Sequence, residues 1–440
     1  MFPPPPPEAF LHYLWQFQQF SGADLRAESG EAVQVLHPGW LNSHAGADFQ
    51  EARLLLDDVE WVGTVEIHRR SSDWFQHNHQ ADGAYENVVL HVVWQHDAPV
   101  TRRDGTHIPT LALAPRTDLA LLARYQALLD AREPIPCAAQ FERVGELPKL
   151  SMLDRALMQR LQTKAEAVVG LFLKTGNDWE ETAWRVVARA FGFKLNAEPM
   201  ERLAGALPPK ILQKHRGNPL QLEALLFGTA GLLSDPAEAD EHAARLGQEF
   251  GFLEKKYGLA DRRLSTHEWK FLRLRPAGFP TVRLAQLAAL VNRHPHFFAL
   301  LTQTDSAQAL RAALDAPQSD YWQRHYVWGK PAAHSVPGLG EEALNSLIIN
   351  AAVPLLAAYA RERGQSDFLE KAIRLLEELP AEKNSVIAEW RALGLRVKTA
   401  FDSQGALEWH ARFCTPRQCF RCNVGAALLK GEGQGAGSKG

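Results

Sequence analysis

The sequence predicts an α+β protein in which a small mixed domain precedes a large all-α domain. Short runs of alternating apolar residues, typical of strands, lie between residues 32 and 94. Helical periodicity is almost continuous after residue 118, broken only by Pro- and Gly-containing segments. The formal net charge of −3 divides into −10 before Lys149 and +7 from Lys149 onward. This asymmetry, at the point where the pattern changes, indicates two domains.

The mixed domain is predicted to have the order α-β-β-β-α-β. A proline run, which cannot enter a helix interior, precedes an apolar helical face in EAFLHYLWQFQQF. The strand-like runs are AVQVLH, DFQEARLLL, WVGTVEIH and NVVLHVVW, and Asp57-Asp58 forms the turn between the middle two. The segment between the last two runs has room for one short helix, and HIPTLALAP predicts one more strand.

Four segments follow from these patterns. We predict an α/β domain over residues 8–125, a connector carrying Cys137 over 126–150, a basic helical domain over 151–430 and a flexible tail over 431–440. With 46% apolar and 22% charged residues, the composition is that of a globular protein. The sequence shows neither an apolar run of about 20 residues nor a secretory signal, so we expect a cytoplasmic protein without membrane association.

Two carboxylates suggest a metal site on the predicted hairpin. Asp48 opens the second long strand, and Glu66 follows 18 residues later, opposite it across the turn. Because alternate strand residues share a face, Glu66 and His68 flank the carbonyl group of Ile67. Such oxygen ligands suit Mg²⁺ or Mn²⁺, whereas the alternative is that both carboxylates are ordinary exposed positions on an amphipathic hairpin.

Asp48 followed by Glu66-Ile67-His68 on this frame resembles the PD-(D/E)xK nuclease superfamily. The resemblance covers residues 8–95 and implies a restriction-endonuclease-like fold that hydrolyses phosphodiester bonds in DNA or RNA, with Asp48, Glu66 and His68 as catalytic residues. His68 occupies the superfamily's lysine position, and no lysine precedes Lys149. Either His68 performs the proton transfer, or the chemistry is altered or lost. The alternative function is then a catalytically inactive nucleic-acid-binding or assembly protein.

Histidines are dense around these carboxylates. His68, His77, His79 and His91 fall within 24 residues, a concentration typical of a metal or proton-transfer site. We therefore predict that His77 and His79 join Asp48, Glu66 and Ile67 as metal ligands. His91, on a valine-rich strand, is equally consistent with a core residue.

The four cysteines predict a second metal site. Cys414, Cys419 and Cys422 have the spacing C-x4-C-x2-C, and Cys137 is the only other cysteine. This three-plus-one arrangement favours a [4Fe–4S] cluster, with a Zn²⁺ site as the alternative. A further alternative is that the four cysteines are unrelated buried thiols that bind no metal. It is similar to that of iron–sulfur-stapled nucleases, which implies a structural role in fastening the end of the chain.

Basic residues suggest a nucleic-acid partner, either DNA or RNA, while any protein partner is unspecified. The predicted phosphate contacts are Arg69, Arg70, Lys270, Arg273, Arg275, Arg283, Arg417 and Arg421. Arginine suits phosphate because its planar guanidinium makes paired hydrogen bonds. If the segment is extended, Arg273 and Arg275 alternate with leucines and point the same way.

The chain also resembles an uncharacterised bacterial domain-of-unknown-function family along nearly its whole length. The phrases that carry this resemblance include HPGWLNSHAGADF, VEIHRRSSDW, WKFLRLRPAGFPTVRLAQ and CTPRQCFRCNVG. The family brings no established activity with it, so any mechanism has to come from the residues themselves.

Overall fold

The computed structural model describes residues 4–42, 44–233 and 240–431. The predicted tail therefore lies outside the described residues, apart from residue 431. The chain divides into two compact units. We call them the mixed unit, which contains the described residues within Met1–Met152 and His410–Gly440, and the helical unit, Leu153–Trp409. The predicted α+β class is confirmed, since a mixed sheet lies near the N-terminus and most of the remainder is helical.

The mixed unit contains six strands and the two ends of the described chain. Its strands are β1 (Val33–His37), β2 (Trp40–Leu41), β3 (Phe49–Leu56), β4 (Val59–Arg70), β5 (Val88–Gln95) and β6 (Thr110–Ala112). Its α-helices are α1 (Glu8–Gln16), α2 (Asp73–Gln76), α3 (Leu119–Asp130), the start of α4 (Glu146–Lys174) and α18 (Asn423–Lys430). Apart from the two-residue strand β2, the order from α1 to β5 is the predicted α-β-β-β-α-β.

The strand order in the sheet is β1-β3-β4-β5-β6, with β2 also paired to β3. The β1–β3 and β3–β4 pairs are antiparallel, whereas β4–β5 and β5–β6 are parallel. Strand β5 lies between β4 and β6, and seven of its eight residues are buried, as a central parallel strand requires. Residues 63–68 of β4 are also buried, and all of them except Gly63 pair with β5.

The β3–β4 hairpin turns at Asp57-Asp58, as predicted. Asp57 adopts a left-handed conformation (φ 51°), and its side chain accepts a hydrogen bond from the Ala32 N–H at 3.0 Å. Aspartate tolerates this backbone region better than most residues do. A bulge in β3 between Phe49 and Ala52, with Glu51 also left-handed, shifts the register next to Asp48.

The helical unit is mostly, but not wholly, α-helical. Its helices after α4 are α5 (Trp179–Phe191), α6 (Ala197–Ala206), α7 (Pro209–Gln213), α8 (Pro219–Thr229), α9 (Glu241–Tyr257), α10 (Pro280–Arg293), α11 (Phe297–Gln303), α12 (Ala307–Leu314), α13 (Glu341–Leu347), α14 (Val353–Arg363), α15 (Ser366–Glu378), α16 (Ser385–Ala392) and α17 (Ala400–Trp409). The prediction of an all-α domain is wrong in one detail. Strands β7 (His325–Val327) and β8 (Lys330–Pro331) form a small antiparallel hairpin around a left-handed glycine, Gly329. This pattern was too short to stand out among helices.

A π-helical turn, Ile348–Ala352, joins α13 and α14 into one continuous helix, Glu341–Arg363. This is the one helix in the described part of the chain that is long and apolar enough to cross a membrane. However, 78% of its most apolar window is buried inside the protein. Such burial is what the core helix of a soluble protein shows.

The division of the chain differs from the predicted one at the C-terminus. Residues from His410 onward group with the mixed unit, whereas the sequence assigned them to the helical domain. The Arg124 Nε–H donates to the Leu429 carbonyl at 2.9 Å, and Asn423 Nδ2 donates to Ser151 Oγ at 2.9 Å. Helical periodicity cannot reveal such long-range contacts, because it reports only which face of a helix is apolar.

Candidate metal centre

The predicted carboxylate pair does come together. The Asp48 N–H donates to Glu66 Oε2 at 3.1 Å, and the Ile67 N–H donates to Asp48 Oδ2 at 2.9 Å. Asp48 directly precedes β3, and the pairing of Phe49 with Val65 sets it beside Glu66. Ile67 therefore positions the Asp48 side chain through its backbone N–H group. Its carbonyl oxygen, which the sequence predicted as a metal ligand, takes no part in this hydrogen bond.

Four histidine rings converge on the same place. His68 Nδ1 lies 2.8 Å from His91 Nε2, and His68 Nε2 lies 3.0 Å from His77 Nδ1. His91 is fully buried and stands opposite Glu66 in the β4–β5 register. His68, His77 and His79 each offer a nitrogen atom, and these three atoms lie within 4.8 Å of one another. His91 is therefore both a core residue and the hydrogen-bond partner of His68.

Glu66 borders this histidine cluster. Its Oε1 atom lies 3.5 Å from His68 Nε2 and 3.4 Å from His79 Nε2. The predicted sharing of one face by Glu66 and His68 agrees with the first of these distances. We use "histidine centre" for Glu66, His68, His77 and His79.

The backbone at Asn78 turns two neighbouring histidines toward one point. His77 directly follows α2, Asn78 is left-handed (φ 60°), and His79 begins a 3₁₀ turn. Asparagine is among the residues that adopt this conformation most easily. The His79 ring stacks on Tyr85, with 3.8 Å between ring centroids, and this contact fixes the imidazole.

Burial shapes the protonation of the centre. Burial, followed by repulsion from Asp48, raises the pKa of Glu66 well above its usual range. Burial, helped by His79 and His77, lowers the pKa of His68 to about 3. Burial and His77 also lower the pKa of His79. His68 and His79 are consequently neutral at pH 7, which is the form that binds metals.

Helix α1 supplies two residues that the sequence analysis missed. His12 Nε2 lies 3.3 Å from Asp48 Oδ2. Burial, followed by repulsion from Asp48, raises the pKa of Glu8, on which His12 and His77 act in the opposite direction. Glu8 and His12 stand four positions apart on α1 and so share a face of that helix. The four-residue spacing of Glu8 and His12 was the signal in the sequence that could have identified them as site residues. The other residues of this helix that the sequence analysis used are apolar.

The donor set and its spacing fit a divalent transition metal. An ion about 2.1 Å from its ligands places neighbouring ligand atoms about 3.0 Å apart in an octahedron and about 3.4 Å apart in a tetrahedron. The separations of 3.0, 3.4 and 3.5 Å within the histidine centre lie close to these values. Imidazole nitrogens suit metals such as Mn²⁺ or Zn²⁺ better than Mg²⁺, which prefers oxygen.

The four cysteines are all buried and belong to the mixed unit. Cys137 precedes a 3₁₀ turn after α3, Cys414 ends a π-helical turn, Cys419 begins another 3₁₀ turn and Cys422 directly precedes α18. Burial, followed by Cys422, raises the pKa of the Cys137 and Cys414 thiols, and raises that of Cys419 to about 12. Other cysteines contribute to each of these three shifts, and Cys422 makes the largest contribution among them. In the absence of a cation, the Cys137, Cys414 and Cys419 thiols are protonated at pH 7.

The predicted phosphate contacts have different environments. Arg69, Arg70, Lys270, Arg273, Arg275 and Arg421 are exposed, whereas Arg283 and Arg417 are partly buried. Arg417 donates to the carbonyls of Glu133 and Ala131, at 2.9 and 2.6 Å, and so fastens the cysteine segment. Arg283 lies over the Phe193 ring at 4.5 Å, and burial lowers its pKa to about 10. These two guanidinium groups have protein partners.

The expected alternation of Arg273 and Arg275 does not occur. The chain turns at residues 272–273, and Arg273 is left-handed (φ 65°). Because an extended segment was the condition for the two guanidinium groups to point the same way, that argument for a paired phosphate contact no longer holds. Leu272, which is 82% exposed, also lies outside the core.

Comparison with known proteins gives a family assignment. A family described as a protein of unknown function, DUF2851, matches residues 8–385. The chain belongs to this family. The DUF2851 match includes the whole histidine centre and Cys137, but ends before Cys414. No curated protein and no solved structure matches the chain.

Proposed function

We propose that this DUF2851 protein is a metal-dependent nuclease whose metal is held by the histidine centre beside Asp48. The observation that carries the proposal is the position of Glu66 Oε1, within 3.5 Å of nitrogen atoms on both His68 and His79. A buried carboxyl group with a raised pKa, placed among neutral imidazoles, is a donor set that a cation would complete by displacing the proton of Glu66. Of the two predicted ions, Mn²⁺ suits these nitrogens better than Mg²⁺.

When bound, the metal would polarise a phosphoryl oxygen and activate a water molecule. The protein residues orient the ligands and handle protons. His91 accepts or donates at His68 Nδ1 and so fixes the ring with Nε2 facing the centre. His12 and Asp48 form an adjacent pair 3.3 Å apart, which could take the proton from the attacking water. His68, with its low pKa, is assigned to metal binding rather than to the proton transfer expected from the sequence.

DNA or RNA is the proposed substrate. Arg69 and Arg70 follow His68 directly and are exposed, so they supply positive charge on the strand that carries two of the metal ligands. The Arg69 guanidinium donates to the Pro5 carbonyl at 2.9 Å and keeps other donors available for a phosphate. Lys270, Arg273, Arg275 and Arg421 remain candidates for further phosphate contacts because they are exposed.

The experiment is cleavage of single- and double-stranded DNA and RNA with Mn²⁺ or Mg²⁺. Wild type should cleave at least one substrate faster with Mn²⁺, and Glu66→Ala and Asp48→Ala should lose about 10²-fold or more in rate. Glu86→Ala, which removes an exposed carboxylate of the same unit, is the matched control and should retain activity. Equal rates for wild type and both site variants would exclude the proposed centre.

A catalytically inactive nucleic-acid-binding protein is the second candidate, and one observation favours it. His68 has a protein partner at each ring nitrogen, so the residue at the superfamily's lysine position is engaged and uncharged. Salt-dependent binding of DNA or RNA without metal-dependent cleavage would select this candidate.

We also propose that the four cysteines hold a structural [4Fe–4S] cluster, with Zn²⁺ as the alternative. Support comes from four buried thiols of the mixed unit with the spacing C-x4-C-x2-C plus one, three of which have pKa values raised by burial and, in part, by other cysteines. Anaerobically purified protein should contain about four iron and four sulfide per chain and be brown for the cluster, or one zinc and be colourless for the alternative. The absence of both metals would exclude the site.

A further inference from the structure

A cleft of about 930 Å³ lies within the helical unit, remote in sequence from the histidine centre. Its walls come from α4, from α5 and α6, and from the continuous helix Glu341–Arg363. The polar lining residues are Arg160, Lys164, Arg189, Lys194, Glu201, Ser346 and Asn350. Its size falls within the range typical of small-molecule sites.

Lys164 lines this cleft, and one of its three ammonium N–H groups has no acceptor among the described residues. Its ammonium group donates to Asn350 Oδ1 and to Gln404 Oε1, each at 3.1 Å. A lysine ammonium has three donors, so the third has no partner among the described residues. Both partners are neutral amides, and no carboxylate lies within 4 Å of Lys164 Nζ in the described ranges. A half-buried ammonium group with an open donor in a cleft can bind an anion.

Further hydrogen bonds hold the partners of Lys164 in position. Gln404 also accepts from Arg160 Nε at 2.7 Å, and its amide nitrogen donates to Glu382. The orientation of the Gln404 amide is therefore set, with its oxygen toward the two cations. Asn350 lies in the π-helical turn, and such turns are frequent at functional sites. The Lys164 side chain is consequently held rather than mobile.

The charges of the cleft match a phosphate monoester. Arg160 pairs with Glu408 at 2.9 Å, and Arg189 pairs with Glu201. These ion pairs leave Lys164 and Lys194 without carboxylate partners within 4 Å in the described part of the chain. The positive charges of Lys164, on which Glu382 and Glu408 act from more than 4 Å away, and of Lys194 complement a phosphate monoester, which carries about −1.5 to −2 at pH 7.

The remaining wall is apolar and includes an aromatic ring. It consists of Ala167, Val168, Leu171, Val186, Ala190, Phe193, Ala197 and Pro354. Phe193 has a left-handed backbone (φ 48°), which is rare for a bulky residue and occurs most often at functional sites. Arg283 lies over one face of the Phe193 ring at 4.5 Å, and Phe193 and Lys194 both line the cleft. An apolar or aromatic body could therefore pack on the part of the ring that faces the cleft while a phosphate contacts the lysines.

We propose that the cleft between α4, α5–α6 and helix Glu341–Arg363 binds an organic phosphate of mononucleotide size. Its phosphate group contacts Lys164 and Lys194, and its apolar body packs on Phe193 and Val168. The site contains none of the residues of the histidine centre, so it does not depend on the proposed nuclease activity.

The test is isothermal titration of the full-length protein with AMP, adenosine, hexyl phosphate and inorganic phosphate. AMP should bind, and adenosine, which lacks the charge, should bind at least about tenfold more weakly. If hexyl phosphate binds as tightly as AMP, the apolar wall accepts any apolar group. If hexyl phosphate binds more weakly, the wall is specific for a nucleoside. Both results support an organic-phosphate site. Binding of inorganic phosphate as tight as that of AMP, or no binding of AMP at millimolar concentration, would overturn it.

Two variants and a matched control locate the site. Lys164→Met and Lys194→Met should each weaken AMP binding by about tenfold or more, because each removes a charged donor. Lys194 is exposed, so its variant tests the proposal even if Lys164→Met fails to fold. Lys174→Met changes an exposed lysine of the same helix, outside the cleft, and should bind AMP as wild type does. Unchanged affinity in Lys194→Met, with a folded Lys164→Met also unchanged, would refute the assignment.

Discussion

At the scale of single residues, backbone conformation decides whether the histidine centre forms. The sequence analysis identified Asp48, Glu66, His68, His77 and His79 because their residue types and strand spacing are visible in the sequence. It did not predict the hydrogen bonds of His68. The bond to His91 depends on the pairing of β4 with β5, and the bond to His77 depends on the turn after α2, and no local pattern encodes either contact.

Asn78 tests this dependence. Asn78→Val should cost about 1–2 kcal/mol, because a β-branched residue disfavours the left-handed region, and should weaken Mn²⁺ binding by turning His79 away. Asn78→Gly keeps the conformation accessible and is the control. Calorimetric Mn²⁺ titration of both variants gives the comparison, and equal affinity in Asn78→Val and wild type would contradict the argument.

Lys164 should make stability depend on pH. Burial and the neighbouring Arg160 lower its pKa from 10.5 to about 8, against the opposing effect of Glu382 and Glu408. Between about pH 8 and 10.5 the unfolded chain keeps the proton that the folded protein has lost, so this contribution to stability rises with pH there and falls away toward pH 8. Denaturant unfolding of wild type and Lys164→Met should show this slope in wild type alone. If the free energies of unfolding of the two proteins change in parallel with pH, the prediction is wrong.

At the scale of elements, close backbone contacts hold the cysteine segment in place. Helix α18 approaches the turn at Cys419 so closely that a Cβ atom at Gly425 would lie 2.0 Å from the Cys419 carbonyl oxygen. The sequence shows a glycine here, but not what lies against it. The cysteine spacing was readable in the sequence, whereas this contact, and with it the assignment of residues after His410 to the mixed unit, was not.

Gly425→Ala should therefore destabilise the protein by about 1–3 kcal/mol, since backbone atoms have to move to admit the methyl group. Gly247→Ala is the contrasting variant, because Gly247 lies within helix α9 with open space around it and the change should be neutral or stabilising by about 0.5–1 kcal/mol. Thermal unfolding measures both. A Gly425→Ala protein as stable as wild type would show that the segment yields easily.

At the scale of the whole molecule, the sequence predicted the α+β class and, apart from the short strand β2, the order of elements along the chain from α1 to β5, since both follow from local periodicity and turn residues. It could not predict the grouping of the two chain ends, which depends on contacts between residues far apart in sequence, such as Arg124 and Leu429. The change in charge balance at Lys149 lies close to the division between Met152 and Leu153, whereas the return of the chain to the mixed unit after Trp409 has no counterpart in the charge pattern.

Loss of the proposed cysteine-bound metal should affect one unit. Cys137→Ser removes one of the four thiols, and we expect faster amide hydrogen exchange in α3 and α18 of the mixed unit, because metal binding contributes directly to folding. Helix α8, whose residues from Leu222 to Thr229 are buried in the helical unit, should exchange as in wild type. Mass spectrometry of deuterium uptake makes the comparison, with metal-loaded wild type as the reference. Unchanged exchange in α3 and α18 would argue against a stabilising role for the metal.

The mixed unit is interrupted in sequence by the entire helical unit, and this has a consequence during synthesis on the ribosome. Strands β1–β6 emerge early, but Cys414, Cys419, Cys422 and α18 emerge only after Trp409. Domains generally fold as their residues become available during synthesis. The mixed unit therefore cannot be completed until α18 has been synthesised, which happens after the whole helical unit. Insertion of the proposed cysteine-bound metal would therefore follow the synthesis of Cys422.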